Sequence, residues 1–267
     1  VYYRQGNYSV ALEHCNKALE ISLEVFGERH PDVANSYNNI GVVYSSQGNY
    51  SVALEHYTKA LEIRLAIFGE RHPAVAGSYN NIGAVYDNQG NYSVALEHYT
   101  KALEIRLAIF GERHPAVADS YNNIGMVCYS QGNHPVALEH YNKALEIQLA
   151  VFGERYPDVA TEYNNIGLVY DSQGNYSVAL EHYNKALEIR LAIFGERHPD
   201  VAMSYNNIGY VYDSQGNYSV ALEHYNKALE IKLAIFGERH PDVATSYNNI
   251  GLDYWRQCKY PAALAYY

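Results

Sequence analysis

The sequence predicts an all-α protein, a solenoid of antiparallel helix pairs, and three observations carry that prediction. The stretch Tyr37-Asn38-Asn39-Ile40-Gly41 returns at Tyr79, Tyr121, Tyr163, Tyr205 and Tyr247 with the same four followers, each copy 42 residues after the last. A fixed period of that length marks one supersecondary unit stacked on copies of itself. Within a unit the apolar residues recur at helical spacing, and the turn sequences Gly48-Asn49 and Gly69-Glu70-Arg71-His72-Pro73 mark two fixed places between the helical runs. On a helix with Tyr37 at zero, Val33, Ile40, Gly41 and Tyr44 lie within roughly 60° of it, a narrow packing stripe, while Asn35, Asn38, Asn39, Val42, Ser45 and Ser46 take the opposite arc.

The elements follow in order. Val1 to Gly6 read as the tail of a helix, turned by Gly6-Asn7. Tyr8 to Phe26, with Val10, Ala11, Ala18 and Leu19 on one side, is the first helix of the kind called B, and Gly27 closes it in a left-handed conformation. His30-Pro31-Asp32 opens a helix of the kind called A, because proline suits the first helical position and an acid suits the N-terminal dipole. Helix A runs to about Gln47, Gly48-Asn49 turns the chain, and the next B runs near Ser51 to Phe68. Further A helices are expected at Pro73 to Gln89, Pro115 to Gln131, Pro157 to Gln173, Pro199 to Gln215 and Pro241 to Gln257, with a short last B from Tyr260 to Tyr267. The whole of 1–267 is therefore one array: a partial repeat 1–30, helix pairs 31–72, 73–114, 115–156, 157–198 and 199–240, and a truncated pair 241–267.

A net charge of −10 with no basic stripe argues against nucleic acid as a partner. No apolar run is long enough to cross a membrane. Cys15, Cys128 and Cys258 each replace another residue of the period, which is not a disulfide framework; buried structural thiols in a reducing, cytoplasmic compartment are expected. The His56 and His72 series offer no pair of ligands on one helix face, so no metal is expected. Asn49-Tyr50-Ser51 has the form of a glycosylation acceptor, but Gly48-Asn49 is better explained as a turn. Glu55 and Lys59 form an i, i+4 pair on an outer face. No phosphate loop, nucleophile elbow or paired carboxylates are present, so neither an enzyme nor a cofactor is expected.

Tyr37, Ile40, Gly41, Tyr44, Ala53, Tyr57 and Ala60 fall at the spacings of the tetratricopeptide repeat. The chain resembles that family over its whole length, in a 42-residue form similar to the repeats of kinesin light chains, with Leu65 where the shorter unit has its proline. The resemblance implies a right-handed superhelix whose A helices line a concave side that binds extended peptides or helices. Copies differ there: the Asn35 position reads Gly77, Asp119, Thr161, Met203 and Thr245; the Val42 position Ala84, Met126, Leu168, Tyr210 and Leu252; the Ser45 position Asp87, Tyr129, Asp171, Asp213 and Trp255, followed by Arg256. Candidate groove residues are Asn38, Asn80, Asn122, Asn164, Asn206, Asn248, Asp87, Met126, Tyr129, Asp171, Tyr210 and Asp213. The Asn38 series is read as a ladder of amides for a ligand backbone and the Asn39 series as bonding between A helices, with the opposite assignment the alternative for each. The aspartates point to a neutral or basic protein or peptide ligand. An array of near-identical units also suits a spacer or a rod that associates end to end.

Overall fold

The computed structural model describes residues 7–266, and every described element is an α-helix. In chain order these are α1 (Tyr8–Phe26), α2 (Pro31–Ser46), α3 (Tyr50–Phe68), α4 (Pro73–Asn88), α5 (Tyr92–Phe110), α6 (Pro115–Ser130), α7 (His134–Phe152), α8 (Pro157–Ser172), α9 (Tyr176–Phe194), α10 (Pro199–Ser214), α11 (Tyr218–Phe236), α12 (Pro241–Arg256) and α13 (Tyr260–Tyr266). The helix tail expected at Val1 to Gly6 lies outside the described residues. The helices fall into two units, Val1–His140 and Tyr141–Tyr267, with the boundary inside α7. From α1 to α6 in the first unit, and from α8 to α13 in the second, each helix packs on the next, so A and B alternate.

The caps explain why the boundaries recur. His30 is the N-cap of α2: its Nδ1 accepts a hydrogen bond from the Asp32 backbone N–H, and Pro31 takes the first helical position. His72, His114, His198 and His240 do the same for their helices, each ring stacked on a phenylalanine four residues earlier, as in Phe68–His72 at 4.0 Å. Tyr156 keeps the stack, on Phe152 at 3.9 Å, but makes no side-chain cap. At the other end of α2 the Asn49 N–H reaches the Tyr44 carbonyl and the Gly48 N–H the Ser45 carbonyl, a Schellman closure with Gly48 at φ 76°. Cys258 occupies that position after α12 at φ 57° and makes the same bonds. Cys128 is buried as expected, whereas Cys15 is half-buried and Cys258 is exposed. Cys258 thus serves a turn rather than the packing.

The core differs from the single stripe of the helical wheel. Helix α2 buries Val33, Ala34, Ser36, Ile40, Gly41 and Val43, leaving Tyr37 and Tyr44 half-buried, because an A helix packs on two B helices rather than one. The residue that joins them is the B-helix tyrosine. Tyr57 lies flat under Gly41 of its own A helix, where an added Cβ would fall 2.8 Å from the ring, and its other side meets Val75, Ile82 and Val85 of the next A helix. Tyr183 and Tyr225 repeat this in the second unit against Gly167 and Gly209.

Tyr37 and Tyr44 act elsewhere, sandwiching the His56 imidazole with ring centroids 5.9 and 5.6 Å away. The same sandwich holds His98, His182 and His224. Lys59 leans over the Tyr37 ring, 5.5 Å from its centroid, as do Lys101, Lys185 and Lys227 over Tyr79, Tyr163 and Tyr205. A cation–π contact at an exposed site contributes about 0.5–1 kcal/mol, more than the ~0.3–0.5 of an i, i+4 ion pair, which accounts for the lysine leaning on the ring.

Burial lowers the pKa of His56, His98, His182 and His224 below that of a free imidazole. The unfolded chain therefore takes up these protons first. Stability conferred by the four neutral rings is complete above the unfolded value of about 6.5 and is lost as pH falls from there through their lowered folded values. Urea unfolding should show a midpoint that is flat above about pH 7 and declines between about pH 6.5 and 5; a midpoint that rises over that interval would contradict the sandwich as the site of the effect.

Candidate functional site

The face of interest is the arc of each A helix turned away from the tyrosine joints. Its geometry is set by the two packed sides, so the residues left over are few and fall at the same helical positions in every copy. They include the amides and the variable series.

The amides are shared between neighbours. Asn81 Nδ2 donates to Asn38 Oδ1 at 2.9 Å and Asn123 Nδ2 to Asn80 Oδ1 at 2.8 Å in the first unit. Asn207 to Asn164 and Asn249 to Asn206, both at 2.8 Å, repeat this in the second. The Asn39 series thus bonds between A helices, and the Asn38 series supplies the acceptor. Asn38, Asn80, Asn122, Asn164 and Asn206 are half-buried and Asn248 is exposed. The oxygens of Asn38, Asn80, Asn164 and Asn206 are engaged, so these four have amide N–H groups, rather than the whole amide, to offer an outside partner.

The acidic positions divide into two kinds. Asp213 is 6% exposed and forms an ion pair with Arg256, which stands one repeat later on α12. Asp87 and Asp171 occupy the same position as Asp213 in their own repeats, are half-buried, and have their carboxyl pKa raised by burial. A fourth carboxylate was invisible to the groove series: Asp253 replaces a valine (Val43, Val85, Val127, Val169, Val211) that is buried in every earlier copy. It is 1% exposed; Gln257 donates to its Oδ2 at 2.8 Å, while its Oδ1 is buried with no hydrogen-bond partner. Burial raises its pKa, and the Gln257 bond and Lys259 oppose that.

The charges of these carboxylates are felt at tyrosine hydroxyls of the joints. The Tyr225 hydroxyl is pushed above the ordinary phenol range by burial and then by Asp253, Tyr210 and Asp171; the Tyr99 hydroxyl is pushed up by burial and Asp87. The remaining groove candidates are apolar or aromatic. Met126, at 40%, and Tyr210, at 52%, are exposed on α6 and α10, with Met203 and Trp255 also exposed on α10 and α12. Tyr129 is half-buried, its ring edge-on to His134 at 5.8 Å.

A second device was missed by reading the groove alone. Arg64, on α3, donates to Ser78 Oγ at 2.7 Å and the Ala74 carbonyl at 3.2 Å on α4, and through its other terminal nitrogen to Asn35 Oδ1 at 3.0 Å on α2. Arg106, Arg190 and Lys232 make the corresponding bonds to Ser120, Ser204 and Ser246. One copy carries Gln148 and Glu162, both buried, where four others carry the cation and the serine, Ser22 standing in the cation's place in α1. That paired exchange was the available signal. Two clefts recur with the repeat too, about 390 Å³ beside Tyr37, Lys59 and Glu62 and about 160 Å³ beside Tyr163, Lys185 and Glu188, with the same side chains in both. Among the described residues no cluster of three or more histidine, cysteine or acidic side chains suits a metal, and no helix is long and apolar enough to cross a membrane.

These repeats have known relatives. The tetratricopeptide repeat model matches residues 1–66, 53–108, 74–150, 117–192 and 158–234, and a second model of the same description matches 243–267. The chain belongs to the tetratricopeptide repeat family. Among solved structures it is similar to BtubC (BKLC) from P. vanneervenii, with a TM-score of 0.75 and 25% identity over 88% of this chain and 94% of that one. It is also similar to the nearly identical TPR-like repeats of a putative kinesin light chain from Podosopora anserina, with a TM-score of 0.66 and 18% identity over 78% and 98%. The APC/C hetero-tetramer Cut9–Hcn1 matches with a TM-score of 0.64 and 17% identity over 99% of this chain and 43% of that one. No curated protein matches the sequence.

The amide bonds give a direct prediction. Replacing Asn207 with Ala removes one half-buried neutral hydrogen bond and should cost about 1 kcal/mol in urea unfolding, whereas Asn39→Ala, at an exposed position of α2, should change stability by less than about 0.5 kcal/mol. Equal effects would contradict the assignment of the second amide to bonding between repeats.

Proposed function

We propose that this chain is a protein-interaction scaffold that holds an extended peptide or a helix along a concave groove lined by its A helices. The observation that carries the reading is where large side chains are left exposed. On the A helices they are Met126, Met203, Tyr210 and Trp255, all at positions that change from copy to copy. On the B helices Val25-Phe26, Ile109-Phe110, Val151-Phe152 and Ile235 stand at one fixed place in the repeat, and the other exposed ones, Ile21, Tyr260 and Leu264, belong to α1 and α13, the first and last described helices. A fixed residue serves the repeat, as the Phe–His stacks do; a large apolar residue placed in water at a variable position is what a contact for a partner requires. The amide N–H groups of the Asn38 series are donors suited to ligand carbonyls, and unneutralised Asp87 and Asp171 favour a ligand that is neutral to basic.

A soluble library of 12-residue peptides, passed over the immobilised 267-residue chain, tests this. Retained peptides should lose at least about tenfold in affinity when Met203 and Tyr210 are both changed to Ser, with helical content unchanged, and should keep their affinity when Ile235 is changed to Ser. Equal binding by all three proteins, or loss only with Ile235→Ser, would move the site off the A helices and overturn the reading.

A further inference from the structure

The repeats contain their own template for a ligand contact. Asp213 on α10 is paired with Arg256, which stands one repeat later and one residue further along the A helix. Asp171 stands on α8 where Asp213 stands on α10, and the residue in the place of Arg256 is then Ser214, which is exposed, short and uncharged. The same protein thus shows one copy of this carboxylate with its guanidinium and another without. Within the first unit Asp87 repeats the second case, with Ser130 in the Arg256 position and the Tyr99 hydroxyl close enough to feel its charge.

A carboxylate left short of partners occurs in another repeat too: Asp253, on α12, is 1% exposed in a place that is otherwise valine, and one of its oxygens is buried without a hydrogen-bond partner. An oxygen in that state costs about 1–3 kcal/mol, and nothing in the packing of the repeat requires it, since valine packs there five times. Burial raises the pKa of the Tyr225 hydroxyl, and Asp253, Tyr210 and Asp171 add to that. Lys259 acts on Asp253 but sits over the Tyr254 ring, 5.9 Å from its centroid. Tyr210 is 52% exposed and Met203 41%, which leaves an aromatic face and a flexible apolar stem at the rim.

We propose that Asp171, half-buried and with Ser214 where its repeat equivalent has Arg256, is the receptor for an arginine side chain of the bound peptide, taking its guanidinium in the relation that Arg256 has to Asp213. Arginine is preferred to lysine because the template is a guanidinium, whose planar fork matches a carboxylate, whose weak hydration suits a half-buried site, and whose plane stacks on a tyrosine ring. The inference rests on the groove reading and gives it a named side chain.

The test uses the 267-residue chain and three pools of 12-residue peptides, random except for a fixed central arginine, citrulline or glutamate. Citrulline keeps the shape of arginine without its charge. The arginine pool should be retained at least about tenfold better than the citrulline pool. Asp171→Asn should reduce arginine to the citrulline level. So should Ser214→Arg, which places at Asp171 the cation that Arg256 gives Asp213 and sits at an exposed position where folding is not at stake. Equal retention of arginine and citrulline, or an arginine preference untouched by both substitutions, overturns the inference. If the citrulline pool is retained and lost on changing Tyr210 to Ser, the groove reading survives that failure; if no pool is retained, both fall.

Discussion

One contact governs the rest of this structure: a B-helix tyrosine lying flat against a glycine of its own A helix while its other side meets the next A helix. With a Cβ at Gly41, Gly83, Gly167 or Gly209, the ring could not lie where it does, because the added atom would fall 2.8–3.0 Å from it. The glycine therefore sets how close the two helices of a hairpin come, and the tyrosine sets how the next hairpin is met. Everything on the far arc of the A helix, amides and aspartates included, is positioned by that pair.

A consequence is a division of labour between periodic and aperiodic residues. Packing, capping and the His–Tyr and Lys–Tyr stacks repeat almost without change, so they hold the repeats together and discriminate nothing. The variable A-helix positions contribute little to those joints and are free to carry chemistry. Asp213, paired with Arg256, and Asp253, bonded to Gln257 in a valine's place, are the departures that cost most in a buried setting, since one oxygen of each carboxylate is left without a hydrogen-bond partner.

The period, the helix pairs, the proline starts and the glycine turns could be read from the sequence because each is a local signal with a fixed offset. The histidine caps could not, since a histidine before proline does not reveal which nitrogen accepts a backbone bond. The helical wheel gave one stripe where there are two buried sides, because a wheel knows one neighbour and a stacked A helix has two; Ser36 and Val43 are buried by the second. The two asparagine series were separated only by contacts 43 residues apart, such as Asn81 with Asn38. Arg64 is 8% exposed and bonded to both neighbouring A helices, which no local pattern signals; only the paired change to Gln148 and Glu162 hinted at it.

The central claim is that close approach between tyrosine and glycine determines the joint, and a pair of alanine substitutions measures it. Gly77, in α4, has nothing within 4 Å of a built Cβ, so Gly77→Ala should stabilise the chain in urea unfolding by about 1 kcal/mol through helix propensity alone. Gly167→Ala gains the same propensity but drives a Cβ to 2.9 Å from the buried Tyr183 ring and 3.3 Å from the Ala179 carbonyl, where overpacking costs about 1–3 kcal/mol. The account predicts opposite outcomes, with Gly167→Ala less stable than Gly77→Ala by at least about 1 kcal/mol. Two alanine variants of equal stability would contradict it.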